Sequence, residues 1–165
     1  MGMVAMTRLM QDASVKRPPF APPFLKVGGQ FIAQTANILA YLGPRLGLVP
    51  ADESGRTWAH QLQLTVTDFV KEAHDTHHPI ASSLYYEDQK PAALKRSADF
   101  LAVRLPKYFG YFQSVLDRNG GQWMVGDAVS HVDLSMFQIV AGMRYAFPKA
   151  MARQETAYAK LTALH

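Results

Sequence analysis

PPFLKVGGQFIAQTANILAYL, running from Pro22 to Leu42, decides how the chain is read. Two prolines open it, a short apolar run follows (Phe24, Leu25, Val27), Gly28 and Gly29 mark a turn, and Phe31 and Ile32 resume the apolar pattern. That is the signature of a β-hairpin. Ile38, Leu39 and Leu42 then fall on one stripe of a helix that Gly43 and Pro44 are expected to end. A strand pair therefore feeds a helix start. The first turn of a helix leaves N–H groups unpaired and carries partial positive charge, which suits a carboxylate. The Gln34 amide and Thr35 hydroxyl can add side-chain hydrogen bonds there. Read locally, Thr35 is equally an ordinary N-cap and Gln34 a polar residue at a strand end.

Composition bounds the rest. The chain has 165 residues, 48% of them hydrophobic and 18% charged, which suits a globular protein with one sizeable core. It contains no Cys, so it has neither a disulfide framework nor a cysteine nucleophile, in keeping with a reducing compartment. The net charge is +4, but the basic residues are scattered and the longest runs are pairs such as Lys16-Arg17 and Lys95-Arg96. That distribution gives little support to nucleic-acid binding. No apolar run approaches the roughly 20 residues a membrane span needs, so the expected location is cytoplasmic.

Around the hairpin, Val4 to Met10 fits a short helix, and Lys16 to Phe20 a proline-rich connector. Gly43, Pro44, Gly47 and Pro50 interrupt any regular pattern, which predicts a boundary with a linker over residues 44–51. Asp52 or Ser54 should cap a long helix whose packing face is Trp58, Leu62, Val66, Phe69, Val70 and Ala73. His74 and His78 stand one turn apart near its end, a spacing that can share a divalent ion. No third ligand is identifiable, so no metal site is expected. Pro91 suits the first turn of a second long helix with Leu94, Ala98, Leu101, Leu105, Tyr108 or Phe109, Phe112, Val115 and Leu116 at helical spacing. Pro106 should kink it, and Asn119-Gly120-Gly121 should end it. Between Gly126 and Pro148, Ser130 and Asp133 have capping-box spacing, with Val129 and Leu134 as a hydrophobic staple. The helix they open is apolar on nearly every side (Val132, Leu134, Met136, Phe137, Ile139, Val140, Met143) and should be central. Another amphipathic segment runs from Ala157 to Leu164.

The order of these pieces resembles the cytosolic glutathione transferases. In that family a cis-proline opens the third strand of a thioredoxin-like domain, a Gly turn leads to the fourth, and a Gln/Glu-Ser/Thr pair starts the next helix. Here Pro23, Gly28 with Gly29, and Gln34 with Thr35 match. The family's Gly-Asp followed by Ser-x-x-Asp, at the start of its buried sixth helix, matches Gly126, Asp127, Ser130 and Asp133. The implied fold is mainly α: a partial thioredoxin-like hairpin and helix over residues 1–43, the linker, and an all-helical C-terminal domain over 52–165. The resemblance implies glutathione as co-substrate, its γ-glutamyl carboxylate at Gln34 and Thr35, and its cysteinyl part along the Pro22-Pro23 backbone. It also implies a homodimer in which Asp68 reaches the glutamyl amino group of the other subunit.

A hydrophobic electrophile would lie near the end of the first long helix, where His74, His78, Tyr85 and Tyr86 are candidate contacts. Two departures follow from the same comparison. Pro22 occupies the position whose N–H would donate to the cysteinyl carbonyl, and proline has none. The catalytic Tyr, Ser or Cys of the family's first strand has no counterpart here, and both ends read as short of the family's length. The expectation is thus a glutathione transferase-like protein that conjugates the thiol if the complete fold is present. The alternative is a non-catalytic interaction module of the same fold, or a fragment lacking the catalytic strand.

Overall fold

The computed structural model describes residues Gly2 to Leu164. A first helix, α1 (Gly2–Gln11), lies beside a two-stranded antiparallel sheet, β1 (Phe24–Val27) and β2 (Gln30–Ala33). The register runs from Phe24 opposite Ala33 to Val27 opposite Gln30, so Gly28 and Gly29 form the loop, with Gly28 at a φ of 56°. A side-chain residue resists that φ and glycine does not. Phe24 and Phe31, diagonal neighbours across the ladder, meet edge to face with ring centroids 5.9 Å apart.

α2 (Thr35–Arg45) packs on the hairpin and on α3 (Glu53–His74). It does not stop at Gly43 and Pro44, as the sequence suggested, but runs two residues further. Gly43 is there for close approach: a Cβ on it would lie 2.9 Å from His131 Cδ2. The stop is Gly47, at a φ of 67°, with the Leu48 N–H donating to the Gly43 carbonyl at 2.8 Å. That 6→1 bond is the Schellman closure. Pro44, so close to the C-terminus, costs only one ladder bond.

Asp52 caps α3 as expected, its Oδ1 accepting from Gly55 N at 2.8 Å and from Ser54 Oγ at 2.6 Å. The inner face of α3 is Ala59, Leu62, Val66 and Phe69, with Gln63 also buried. Trp58 and Val70, placed on that face from their spacing, are instead exposed by 36% and 51%, each one position off the buried stripe.

The second long helix starts five residues before Pro91. α4 (Tyr86–Asp99) opens on a box in which Asp88 Oδ2 accepts from Tyr85 N at 3.1 Å, so the first turn needs no proline. It continues through a π turn (Phe100–Arg104) into α5 (Leu105–Arg118). The π turn sits immediately before Pro106, whose ring and missing N–H disrupt an α-ladder. It inserts one residue, so the buried face upstream shifts by one. Ala93 and Phe100 are inside, while Leu94 and Ala98 are exposed. Downstream, Leu105, Tyr108, Phe109, Phe112, Val115 and Leu116 are buried as their spacing predicts. α5 ends on a second Schellman closure, Gly121 N to Leu116 O at 2.6 Å, with Gly120 at a φ of 87°.

α6 (His131–Ala146) buries Val132, Met136, Ile139, Val140 and Met143 against α3 and α5 in one core. It is less enclosed than its composition suggests: Leu134 and Phe137 are 51% and 42% exposed. Val129 is 37% exposed as well, so the expected staple covers little surface. α7 (Pro148–Gln154) was not anticipated from the sequence, and α8 (Ala159–Thr162) closes the described chain by packing on α5 and α6.

The start of α6 is held by the buried Asp133 carboxylate. Oδ2 accepts from Ser130 N at 2.7 Å and Ser130 Oγ at 2.6 Å, and Oδ1 from Met124 N at 2.8 Å. Asp133→Ala leaves three buried donors unpaired, so it should cost about 3 kcal/mol or more by the usual penalty per unmet bond, read as a lower urea midpoint. Next to it, His131 is 3% exposed, donates its backbone N–H to Leu48 O at 2.9 Å, and leaves ring Nδ1 without a partner. Burial, with the neighbouring His60 second, holds its pKa below the ordinary 6.5. Above about pH 6.5 the ring is neutral in both states; below it the unfolded chain binds the proton first. Stability should therefore fall as pH drops from 6.5 toward 5, by at most about 1.4 kcal/mol per unit, and His131→Phe should flatten that decline in urea titrations.

Candidate functional site

The hairpin ladder joins the distant halves of the predicted site. Phe24 pairs with Ala33, so the next residues outward, Pro23 and Gln34, stand across from each other at the open end of the sheet. The peptide between Pro22 and Pro23 is cis. All four residues, Pro22, Pro23, Gln34 and Thr35, are exposed. Gln34 is the N-cap and Thr35 the first helical residue, so the helix begins one position earlier than a Thr35 cap would have it.

Gln34 takes a φ of 68° and a ψ of 120°, the one non-glycine residue with positive φ among those described. Such a conformation costs of the order of 1–3 kcal/mol and persists only where surrounding structure imposes it. Here β2 fixes the chain up to Ala33, while Ala36 is buried and Ile38 N bonds Gln34 O at 2.9 Å, so the bend falls on Gln34. Its side chain makes no capping bond. The first-turn N–H groups of α2, which have no intrahelical acceptor, receive no side-chain cap and lie beside the exposed Gln34 amide and Thr35 hydroxyl. Asn37 Nδ2 donates to Ala33 O at 3.2 Å and ties the strand end to this turn. The arrangement suits a carboxylate.

Asp68 is not brought in by the ladder; it stands on the exposed side of α3. His74 and His78 stack with ring centroids 5.1 Å apart at the end of that helix. Tyr85 is 80% exposed, and Tyr86 lies 5.9 Å from His77, ring to ring. A cavity of about 700 Å³ opens elsewhere, between Val49, Asp52, Trp58 and the Gly126–Ser130 loop. It contains none of the five predicted site residues.

Two features escaped the sequence. Glu72 on α3 takes a two-pronged contact from Arg104, at 2.7 and 2.6 Å, and a 2.8 Å bond from the Tyr108 hydroxyl. Tyr108 lies flat on Phe69, centroids 4.5 Å apart. The Arg104 contact lowers the Glu72 pKa, while burial and then the carboxylate raise that of Tyr108. A phenol so committed is a poor activator of a thiol. Gln89 is the other: Oε1 accepts from Ile80 N at 2.9 Å, and Nε2 donates to Ala81 O and Leu84 O at 3.1 Å each, shaping the loop before α4. Partners 32 residues apart in the first case leave no local signal, and a lone Gln in a helical run leaves none in the second.

Gln34→Gly separates conformation from chemistry. Removing the side chain relieves the unfavourable φ, so the thermal midpoint should hold or rise, by up to roughly 1 kcal/mol of stability, while any carboxylate ligand at α2 should bind more weakly.

Comparison with known proteins bears on the family and the fold. The family model for the glutathione S-transferase C-terminal domain matches residues 74–165. Among curated relatives, the glutathione S-transferase of Plasmodium yoelii yoelii is 25% identical over 78% of this chain and 55% of its own length. The probable glutathione S-transferase 7 of Caenorhabditis elegans is 30% identical over 81% and 66%. A monomeric glutathione S-transferase of the hookworm Necator americanus superposes with a TM-score of 0.67 at 19% identity, covering 87% of this chain and 65% of that one. The chain thus spans a little over half to two thirds of the length of these relatives. The mostly helical chain with its small two-stranded antiparallel sheet matches the fold of these structures, a thioredoxin-like N-terminal part followed by a helical one. With the C-terminal family model matching more than half of its residues, the chain belongs to the glutathione S-transferase family.

Proposed function

We propose that this chain binds glutathione at the start of α2 and takes part in conjugating its thiol to hydrophobic electrophiles. The observation that carries this reading is the Gln34-Thr35 turn: a non-glycine residue at a φ of 68° opening a helix beside a Pro22-Pro23 backbone. In the proposal, residues 1–43 carry the tripeptide. The γ-glutamyl carboxylate accepts from the first-turn N–H groups and from the Gln34 and Thr35 side chains, each charge-assisted bond worth about 1.5–3 kcal/mol. The cysteinyl N–H donates to the Pro22 carbonyl. Pro22 has no N–H to return, so the contacts at α2 bear more of the affinity.

The proposal pairs two copies so that Asp68 of each meets the glutamyl amino group held by the other, and sets the electrophile near His74 and His78. The thiolate attacks the electrophilic carbon, the C–S bond forms as the leaving group departs, and the thiol proton goes to solvent. The reading includes action in the cytoplasm; none of the described helices is long and apolar enough to cross a membrane.

Calorimetric titration of glutathione into the purified 165-residue chain tests the binding. The expected result is saturable binding that Thr35→Ala weakens about 10- to 100-fold, the equivalent of one charge-assisted bond. A folded chain that gives no specific heat, or one in which Thr35→Ala leaves affinity unchanged, overturns the reading.

A further inference from the structure

The end of α3 carries two imidazoles arranged in a way that spacing alone did not reveal. His74 Nδ1 lies 3.3 Å from Asp75 Oδ1. His78 Nδ1 lies 3.3 Å from the Leu84 carbonyl oxygen. Gln89 Nε2 is also 3.2 Å from His78 Nδ1, but its two hydrogens already have shorter acceptors in Ala81 O and Leu84 O, at 3.1 Å each. Both rings thus have an oxygen facing Nδ1, and in the tautomer that donates to it Nε2 is left as a lone-pair donor. A carboxylate or carbonyl behind Nδ1 is the usual outer partner of a metal-ligating histidine, orienting the ring and raising its basicity.

The rings stack one turn apart, centroids 5.1 Å from each other and 26° between their planes. Two Nε2 atoms bound to one tetrahedral ion at 2.0–2.1 Å stand about 3.4 Å apart. Reaching that separation requires the rings to tilt about their Nδ1 contacts, and the His74 side chain is 46% exposed. Around the pair, the Asp75 Oδ1 that faces His74 also accepts from Lys71 Nζ at 2.6 Å, so the ammonium is neutralised by that carboxylate. His77, between them in sequence, is turned elsewhere: its Nδ1 pairs with Thr76 Oγ1 at 2.9 Å and its ring lies 5.9 Å from Tyr86 and 6.0 Å from Phe147.

We propose that His74 and His78 chelate one late-transition divalent cation of the Zn²⁺ class through their Nε2 atoms. No group of three His, Cys, Asp or Glu side chains among the described residues converges on a point, so water or an exogenous donor completes the coordination. This makes it an exchangeable surface site rather than a structural one. Imidazole donors select Zn²⁺, Cu²⁺ and Ni²⁺ over Mg²⁺ and Ca²⁺. The site is independent of the Gln34-Thr35 turn, and its test needs no glutathione.

The test is titration of the full chain with ZnCl₂, followed by calorimetry and by the thermal midpoint. One Zn²⁺ per chain is expected, with a midpoint that climbs as zinc rises because the ion favours the folded state. His74→Gln and His78→Gln should each weaken binding about tenfold or more, and His77→Gln should leave it unchanged. MgCl₂ should give neither heat nor shift. Should a variant fail to fold, the parent chain loaded with one equivalent of Cu²⁺ decides by electron paramagnetic resonance: two imidazole nitrogens on the copper support the pair, and one or none overturns it. Zinc affinity that both variants retain, or that follows His77, likewise overturns it.

Discussion

The Asp133 carboxylate is the contact on which the helical part of this protein depends. It is 4% exposed and accepts three hydrogen bonds, two from Ser130 and one from the Met124 backbone. A buried anion is tolerated only when its lone pairs are met, and here the donors that meet it are the orphan N–H groups that a helix start and its preceding loop must place somewhere. One side chain thereby fixes where α6 begins, how the loop after α5 returns, and where His131 sits. His131 in turn holds Leu48 by its N–H and seats α2 against its ring at Gly43. The thioredoxin-like piece is therefore joined to the helical piece through the residue that follows the capping serine.

What the sequence made legible was local chemistry. The hairpin, the cap at Asp52, the box at Ser130 and Asp133, and the Asn119-Gly120-Gly121 stop each rest on a few adjacent residues whose backbone or side-chain demands admit few solutions. The hidden parts are those settled by packing at a distance. Gly43 reads as a terminator until His131, 88 positions on, is known to press against it. The Glu72, Arg104 and Tyr108 contact joins helices whose relative rotation no periodicity reveals.

The long helix shows how a correct rule can give a wrong face. Its apolar spacing fits one helical period from Leu94 to Leu116 with a kink expected at Pro106, and from Leu105 onward that is what is buried. The π turn at Phe100–Arg104 adds a residue, so the inside upstream is Gln89, Ala93 and Phe100. Pro106 was the visible cue, and it is answered by a change of helical pitch before it. At the candidate site the cue was of the same kind: residue types at Gln34 and Thr35 pointed to a helix start, but the positive φ that turns this start outward is a tertiary consequence of joining β2 to a buried Ala36.

Because α2 spans only Thr35 to Arg45, its two ends carry different duties on one stiff rod about 16 Å long. The Gln34 end faces solvent, and the Gly43 end is wedged against His131 with no room for even a methyl group. A rod pinned at one end turns about that pin, so a tilt of about 4° swings the open end by roughly 1 Å. The closeness of Gly43 to His131 therefore sets the mechanical compliance of the helix start, and a looser seat there would blur the position of the first-turn N–H groups without touching them.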